Sequence, residues 1–205
     1  DIRHVRILSG DMESDSPGPC VLIDDYRAAY EITRYLVGLG HRDIAFLAGS
    51  HEHDTSSENR QRGYHAALTD ADIKPQASLI VPGEYTFNSG SERTSTLLGQ
   101  QQPPTAIFAC NDEIASGALF AARIKQVAVP QQLSIVGFED SPFSRQSWPK
   151  LTTAHQPNSE IAANAARILI ESIRSSRQGN TDKDPARMGF QPEIVVRDST
   201  CPAAT

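Results

Sequence analysis

The chain has 205 residues, of which 39% are hydrophobic and 21% charged. This composition suits one compact α/β domain or two small lobes, and no stretch approaches the roughly 20 apolar residues of a membrane-spanning helix. The formal charge is −6 and no basic cluster is evident. Nucleic-acid binders carry a basic surface, so these residues are not themselves expected to bind nucleic acid.

The first residues of the chain and its cysteines favour a cytoplasmic protein over an exported one. Residues 1–11 alternate apolar and polar side chains without a basic start and an apolar run, so we expect no signal peptide. Cys20, Cys110 and Cys201 are too few and too widely spaced for a disulfide framework or a metal site. Reduced thiols in a cytoplasmic protein are the expectation.

Strand and helix signals alternate along the chain, which predicts an α/β fold with a parallel sheet. Short apolar runs between turn residues predict buried strands, and apolar residues at helical spacing predict amphipathic helices. The predicted strands are 5–8, 20–23, 44–49, 79–81, 105–109, 133–138 and 193–197. The predicted helices are 24–39, 58–71, 89–98, 112–125 and 158–175, and residues 178–187 are predicted to form a polar loop.

Ligands of open parallel sheets bind beyond the carboxyl ends of the strands. In this chain those positions are polar and include aromatic side chains, a mixture that suits a sugar-like or nucleobase-like ligand. They are residues 50–60, 83–88, 110–112 and 139–141.

Five short motifs follow one another along the chain. They are DD at 24–25 with LGHRDIAFLAG at 39–49; RQRGY at 60–64; PTAIFACNDEIA at 104–115; VP at 129–130 with LSIVGFED at 133–140; and PKLTT at 149–153 with QP at 156–157 and VRDST at 196–200. Each motif alone is weakly specific. Together, in this order and spacing, they resemble the Lac/Gal repressor family of bacterial transcription regulators, over residues 20 to 200.

The resemblance implies a periplasmic-binding-protein-like core of type I, built from two doubly wound parallel-sheet lobes. The first lobe would be only partly present, as residues 1–23 and 155–187, and the second would comprise 24–154 and 188–205. The family's helix-turn-helix headpiece is absent from these residues. A cytoplasmic sensor is implied, in which a small effector binds one arrangement of the lobes better and changes how a homodimer fits its operator DNA.

The resemblance also implies effector-binding residues in the first half of the chain. Arg60 matches an effector-contacting arginine of the family, and its planar fork of donors suits paired hydroxyls; the alternative is a solvated arginine at a helix start. Tyr85 matches an aromatic residue that stacks on the ligand, the alternative being an exposed loop tyrosine. Ser56 is a further candidate for a hydroxyl contact.

Two more effector contacts are implied in the second half of the chain. The Asn111 amide can donate to and accept from a hydroxyl pair, or it can serve as a turn or cap residue, whereas Asp112 is expected to cap the next helix. Glu139 stands where most family members carry Asp, and its extra methylene moves the carboxylate by about 1 Å, a distance that matters in a binding site. Asp140 is expected to be a structural turn residue.

Dimerisation in the family uses the helix that corresponds to residues 112–125 and the segment before residues 151–153. Leu119 and Trp148 are therefore the candidate interface residues, since aromatic side chains carry much of the energy of interfaces. The alternative is ordinary core packing.

The sequence also bears on functions other than a regulator. His51 and His53 could suggest a metal, but with no third ligand in a motif they are expected to be solvated loop residues. No nucleophile elbow, phosphate loop or dinucleotide fingerprint occurs, so we expect no cofactor and no catalysis. A periplasmic sugar-binding protein for transport is the first alternative, and a hydrolase of doubly wound fold is the second.

Overall fold

The computed structural model describes residues 3–7, 18–49, 55–177 and 186–204. Its strands are β1 (Arg6–Ile7), β2 (Cys20–Ile23), β3 (Ile44–Gly49), β4 (Ile80–Gly83), β5 (Ala106–Ala109), β6 (Ser134–Glu139), β7 (Thr152–His155), β8 (Arg187–Phe190) and β9 (Glu193–Val195). Its helices are α1 (Asp25–Gly38), α2 (Thr55–Asp70), α3 (Phe87–Leu97), α4 (Asp112–Ile124), α5 (Pro142–Gln146) and α6 (Asn158–Arg177).

The chain divides into two compact units. The larger comprises Asp25–Gln156 and Glu193–Thr205, and the smaller comprises Asp1–Asp24 and Pro157–Pro192. The smaller unit has a parallel sheet in the order β1-β2-β8, with α6 packed against β1 and β2. All four residues of β2 are buried, as expected for a central strand of a parallel sheet.

A six-stranded sheet in the order β4-β3-β5-β6-β7-β9 forms the centre of the larger unit. All neighbouring pairs are parallel except β7 with β9. Strands β3, β5 and β6 are almost entirely buried, which is why they read as continuous apolar runs. The chain turns from β3 to β4 on one side and then crosses to β5 on the other, so the strand order reverses between β3 and β5.

Helices of the larger unit pack in close pairs, α1 with α2 and α3 with α4. Glycine permits both approaches. A Cβ on Gly63 would lie 2.2 Å from the carbonyl oxygen of Tyr26, and a Cβ on Gly117 would lie 2.1 Å from that of Phe87. Both distances are far below van der Waals contact, so any side chain would push the helices apart.

The predicted α/β architecture with parallel sheets is confirmed, and the predicted strands and helices occur within a few residues of the expected bounds. Helix α2 begins at Thr55, three residues earlier than predicted. The sequence did not predict α5, β7 or β8, and β9 is antiparallel to its neighbour. The predicted loop at 178–187 lies outside the described residues except for its last two positions, of which Arg187 begins β8.

Candidate functional site

The carboxyl ends of β3 and β5 form the point where the strand order reverses, which is where open α/β sheets bind ligands. Residues from α2, the β4–α3 loop, the junction of β5 with α4, and the end of β6 come together around this edge. They include four of the five predicted ligand-binding residues: Arg60, Tyr85, Asn111 and Glu139.

Arg60 lies in the second turn of α2 and is only 7% exposed. Its Nε donates to Oδ1 of Asp25 at 2.8 Å, and its Nη1 donates to the carbonyl oxygen of Cys110 at 2.5 Å. The guanidinium also lies over the Phe138 ring, 3.7 Å from its centroid. Arg60 is therefore not a solvated residue at a helix start. Its guanidinium is also not fully available to a ligand, because Nε and Nη1 already donate hydrogen bonds within the protein.

The charge on Arg60 is maintained by its ion pair. Burial favours the neutral form, but the nearby Asp25 carboxylate outweighs burial and holds the pKa of Arg60 above its usual value. A buried guanidinium of this kind adds a permanent positive charge beside the strand ends.

Tyr85 lies against the end of β3. Its hydroxyl is 3.6 Å from Sγ of Cys110, and a Cβ added to Gly49 would lie 2.5 Å from that hydroxyl. The ring is half-buried, so the interpretation as an exposed loop tyrosine is wrong. Only glycine at position 49 lets the ring take this place.

Cys110 and Ser57 belong to the same edge. Both lie in the segments predicted to follow strands, but neither was predicted as an effector contact. The Cys110 thiol is completely buried and lies 3.8 Å from the Ser57 hydroxyl, which accepts a hydrogen bond from the Gly49 amide at 2.9 Å. Ser56, the predicted contact, is half-buried in the first turn of α2. Its role in ligand binding stays a prediction.

Asn111 caps α4, and Asp112 does not. Oδ1 of Asn111 accepts from the Ile114 amide at 2.8 Å, while Asp112 is the first helical residue. The expectation that Asp112 is the cap is therefore wrong by one position. Its buried carboxylate accepts hydrogen bonds from the Ser141 amide at 2.7 Å and the Thr153 hydroxyl at 2.6 Å.

Glu139 ends β6 in an unusual backbone conformation. Its φ is 111°, and that of the following Asp140 is 55°, so two consecutive non-glycine residues have positive φ. Such conformations cost energy and cluster at binding sites. The Glu139 side chain is half-buried and accepts no hydrogen bond from the described residues.

The surroundings of Glu139 disfavour its charge. Burial is the largest cause and raises the pKa of Glu139 to about 7. Arg60 lowers this pKa, whereas the other carboxylates nearby raise it further; they are Asp112, Glu113 and Asp25.

Asp140 holds the turn from the other side, as expected of a structural turn residue. Its carboxylate accepts from Arg197 at 2.5 Å, from the Ser144 hydroxyl at 2.9 Å and from His155 at 3.0 Å. The turn that carries Glu139 is thus tied to β7, α5 and the segment after β9.

Arg93 of α3 is a further buried residue that sequence reasoning missed. Its Nη1 donates to the carbonyl oxygens of Ala48 at 2.7 Å and Val81 at 2.8 Å, and its Nη2 donates to that of Glu84 at 3.1 Å. Arg93 thereby joins the ends of β3 and β4 to the residue before Tyr85. No local pattern marks such a role, since its partners are backbone groups.

The predicted interface residues line one groove of the larger unit, of about 270 Å³, between α4 and α5. Leu119 is 8% exposed and forms its floor, whereas Trp148 is 82% exposed. Phe120 and Phe143, at 47% and 49%, also line it. We call these four residues the α4–α5 groove. Core packing therefore describes Leu119 but not Trp148.

Metal ligands and membrane spans are both lacking in residues 3–7, 18–49, 55–177 and 186–204. No group of three or more His, Cys, Asp or Glu side chains is arranged to hold a metal there, and His51 and His53 lie outside that part of the chain. No described helix combines the length and the apolar character needed to cross a bilayer.

Comparison with known proteins places the chain among characterised relatives. The family model described as periplasmic binding protein-like domain matches residues 33–200. The chain is 38% identical to the HTH-type transcriptional regulator DegA of Bacillus subtilis (strain 168), over 92% of this chain and 54% of that protein. It thus spans about half the length of this curated relative.

Solved structures show the same likeness. A complex of the transcriptional regulator CelR with cellobiose superimposes with a TM-score of 0.85 at 27% identity, covering 95% of this chain and 58% of that one. A LacI family transcriptional regulator from Enterococcus faecium with bound ribose gives a TM-score of 0.85 at 25% identity, covering 98% and 72%.

Proposed function

This chain belongs to the Lac/Gal repressor family of periplasmic binding protein-like domains, and on that premise we propose that it is the ligand-sensing and dimerisation core of a DNA-binding transcription regulator. The regulator is a repressor that responds to a small sugar-like or other polar metabolite. Operator DNA is bound by a headpiece outside these residues, and the protein works in the cytoplasm without catalysing a reaction.

One observation carries the proposal: Arg60, Tyr85, Asn111 and Glu139 approach one another at the point where the strand order reverses. A buried cation, an aromatic ring, an amide and a carboxylate supply both hydrogen-bond partners and an apolar face. This combination suits a polyol or a similar ring. Cellobiose and ribose in the two related regulators are ligands of that class.

A homodimer is the proposed assembly, and the α4–α5 groove is its proposed interface. Trp148, Phe120 and Phe143 expose a cluster of aromatic surface beside the buried Leu119. Clustered exposed aromatic side chains are typical of protein–protein interfaces. A second copy of the chain would cover them.

Regulators rather than transport proteins are favoured by the relatives. DegA is named an HTH-type transcriptional regulator, and the two solved relatives are also transcriptional regulators. A periplasmic transport protein shares the fold but binds no operator, so DNA binding separates the two functions.

The test uses the complete protein. We expect it to bind a short palindromic DNA site selected from the genome of its source, and its effector to change that affinity by about 5- to 150-fold, the usual range of allosteric coupling. Selection from a genomic fragment library followed by mobility-shift titration measures both. Export to the periplasm, or the absence of any sequence-specific DNA site, would overturn the proposal.

A further inference from the structure

Asp112 connects three segments of the site. Through Asn111, the residue before it, it belongs to the junction of β5 and α4. Its Oδ2 accepts from the Ser141 amide at 2.7 Å in the turn after Glu139, and its Oδ1 accepts from the Thr153 hydroxyl of β7 at 2.6 Å. One carboxylate therefore joins the segment of Asn111 to the segment of Glu139.

Thr153 extends this connection. Its hydroxyl oxygen accepts from the Asp140 amide at 3.4 Å while its proton goes to Asp112. Both side chains are fully buried. A Cβ on Gly137 would lie 2.3 Å from Oδ1 of Asp112, so the strand that leads to Glu139 leaves room for this carboxylate. Hydrogen bonds to a carboxylate are stronger than those between neutral groups. The bonds of Asp112 and Thr153 therefore hold this turn firmly, and we call these two residues the turn anchor.

The turn anchor holds a backbone that is strained at Glu139 and Asp140. Glu139 and Asp140 have φ angles of 111° and 55°, and such residues keep these conformations only when neighbouring contacts hold them. The amides of Asp140 and Ser141, which directly follow Glu139, are the two groups that Thr153 and Asp112 bind. Without those bonds the turn can relax, and the Glu139 side chain can move into water.

We propose that Asp112 and Thr153 are positioning residues of the effector site, which hold the Glu139 carboxylate in register with the Asn111 amide. Neither side chain needs to touch the effector. That this site binds an effector rests on the proposed function, but the positioning of Glu139 by Asp112 and Thr153 can be tested without an effector.

The test follows the titration of Glu139 by carbon-13 NMR of glutamate carboxyl groups in the complete protein, with Glu139→Gln assigning the signal. In the wild type the carboxyl should titrate near pH 7, because burial disfavours its charge. Thr153→Val removes the hydroxyl without adding or removing an ionisable side chain. We expect it to shift the midpoint by at least one pH unit toward 4.5, the ordinary value for glutamate.

Two matched variants show whether the effect is specific. Thr153→Ser keeps the hydroxyl and should restore the wild-type midpoint. Thr33→Val removes another fully buried threonine hydroxyl of the same unit, one bonded to the Ala29 carbonyl oxygen at 2.8 Å, and should leave Glu139 unchanged. A merely structural role for Thr153 would lower stability in both valine variants without moving the midpoint.

Three results would overturn the proposal: an unchanged Glu139 midpoint in Thr153→Val, an equal shift in Thr33→Val, or a wild-type midpoint near 4.5. Operator binding by the same protein is measured separately. If the protein bound no operator, the proposed regulator function would be wrong, but the NMR result on Glu139 would still stand. The failure of one proposal can therefore be distinguished from the failure of the other.

Discussion

Arg60 and Asp25 form an ion pair of 2.8 Å in which both side chains are more than nine-tenths buried. The pair joins α2 to the first residue of α1, and Arg60 also reaches the last backbone carbonyl before Asn111. Two helices and one strand end are thereby held together beside the proposed effector site.

Removing one partner of this pair should be costly. Asp25→Ala leaves the Arg60 guanidinium buried without its carboxylate, and such changes destabilise proteins by about 3–5 kcal/mol. Urea unfolding measures the loss. Glu31→Ala is the control, because the half-buried Glu31 pairs with two exposed arginines of α1, Arg27 at 2.6 Å and Arg34 at 2.5 Å, and pairs at the surface contribute about 0–1 kcal/mol each. Equal losses in the two variants would contradict the buried pair's importance.

Asn111 should show two separable contributions. Asn111→Ala removes the cap of α4 and should cost about 1 kcal/mol, whereas Asn111→Ser keeps a capping oxygen and should cost much less. Both variants lack the amide and should weaken the effector response of operator binding. Thermal unfolding and mobility-shift titration measure the two quantities. A normal effector response in Asn111→Ser would show that Asn111 is a cap only.

Glu139 should make stability depend on pH. Its pKa is about 7 in the folded chain and 4.5 in the unfolded chain, so the folded state holds the proton more tightly. The stabilisation from that proton is complete below pH 4.5 and is lost as pH rises through 7. Glu139→Gln cannot titrate, and its free energy of unfolding relative to wild type should rise by on the order of 2 kcal/mol between pH 4.5 and 8.

The control for this measurement is Glu92→Gln, at an exposed glutamate of α3. A pH dependence shared by both glutamine variants would not come from the surroundings of Glu139. A constant difference between Glu139→Gln and wild type would mean that the Glu139 carboxyl is solvated.

Trp148 should contribute to the proposed dimer. Trp148→Ala is expected to raise the dissociation constant of the dimer by at least about tenfold, since central aromatic residues of interfaces contribute more than 1–2 kcal/mol. Sedimentation velocity over a concentration series measures it. Val196→Ala, at another exposed apolar residue of the larger unit, should have no effect. A monomeric wild type, or equal effects of both variants, would contradict the interface.

The sequence predicts the strands of this fold best where they are most buried. Strands such as β3 and β5 are apolar throughout, because both faces of a parallel sheet are covered. Strand β7 is equally buried at Thr152 and Thr153, but these polar side chains are satisfied by Asp112, Thr200 and neighbouring backbone groups. No apolar run marks such a strand, and it was missed.

The location of the candidate site residues could be predicted from the sequence, whereas their contacts could not. Strand ends and the family motifs indicate Arg60, Tyr85, Asn111 and Glu139. Asp25, which pairs with Arg60, is 35 residues away in the chain. No local spacing therefore predicts that a guanidinium donor of Arg60 is already bonded to a carboxylate. Asn111 and Asp112 both favour caps, and sequence alone could not decide between adjacent positions.

The antiparallel strand β9 has a consequence for the order in which the molecule is made. It pairs with β7 in the larger unit, and Ser199 bonds both Ile135 and Thr152. Residues 157–192, which belong to the smaller unit, are synthesised between those partners. Strand β7 therefore has no β9 partner until residues 193–195 have been synthesised, and a translation product that stops before Glu193 lacks both that strand and the Arg197 contact to Asp140.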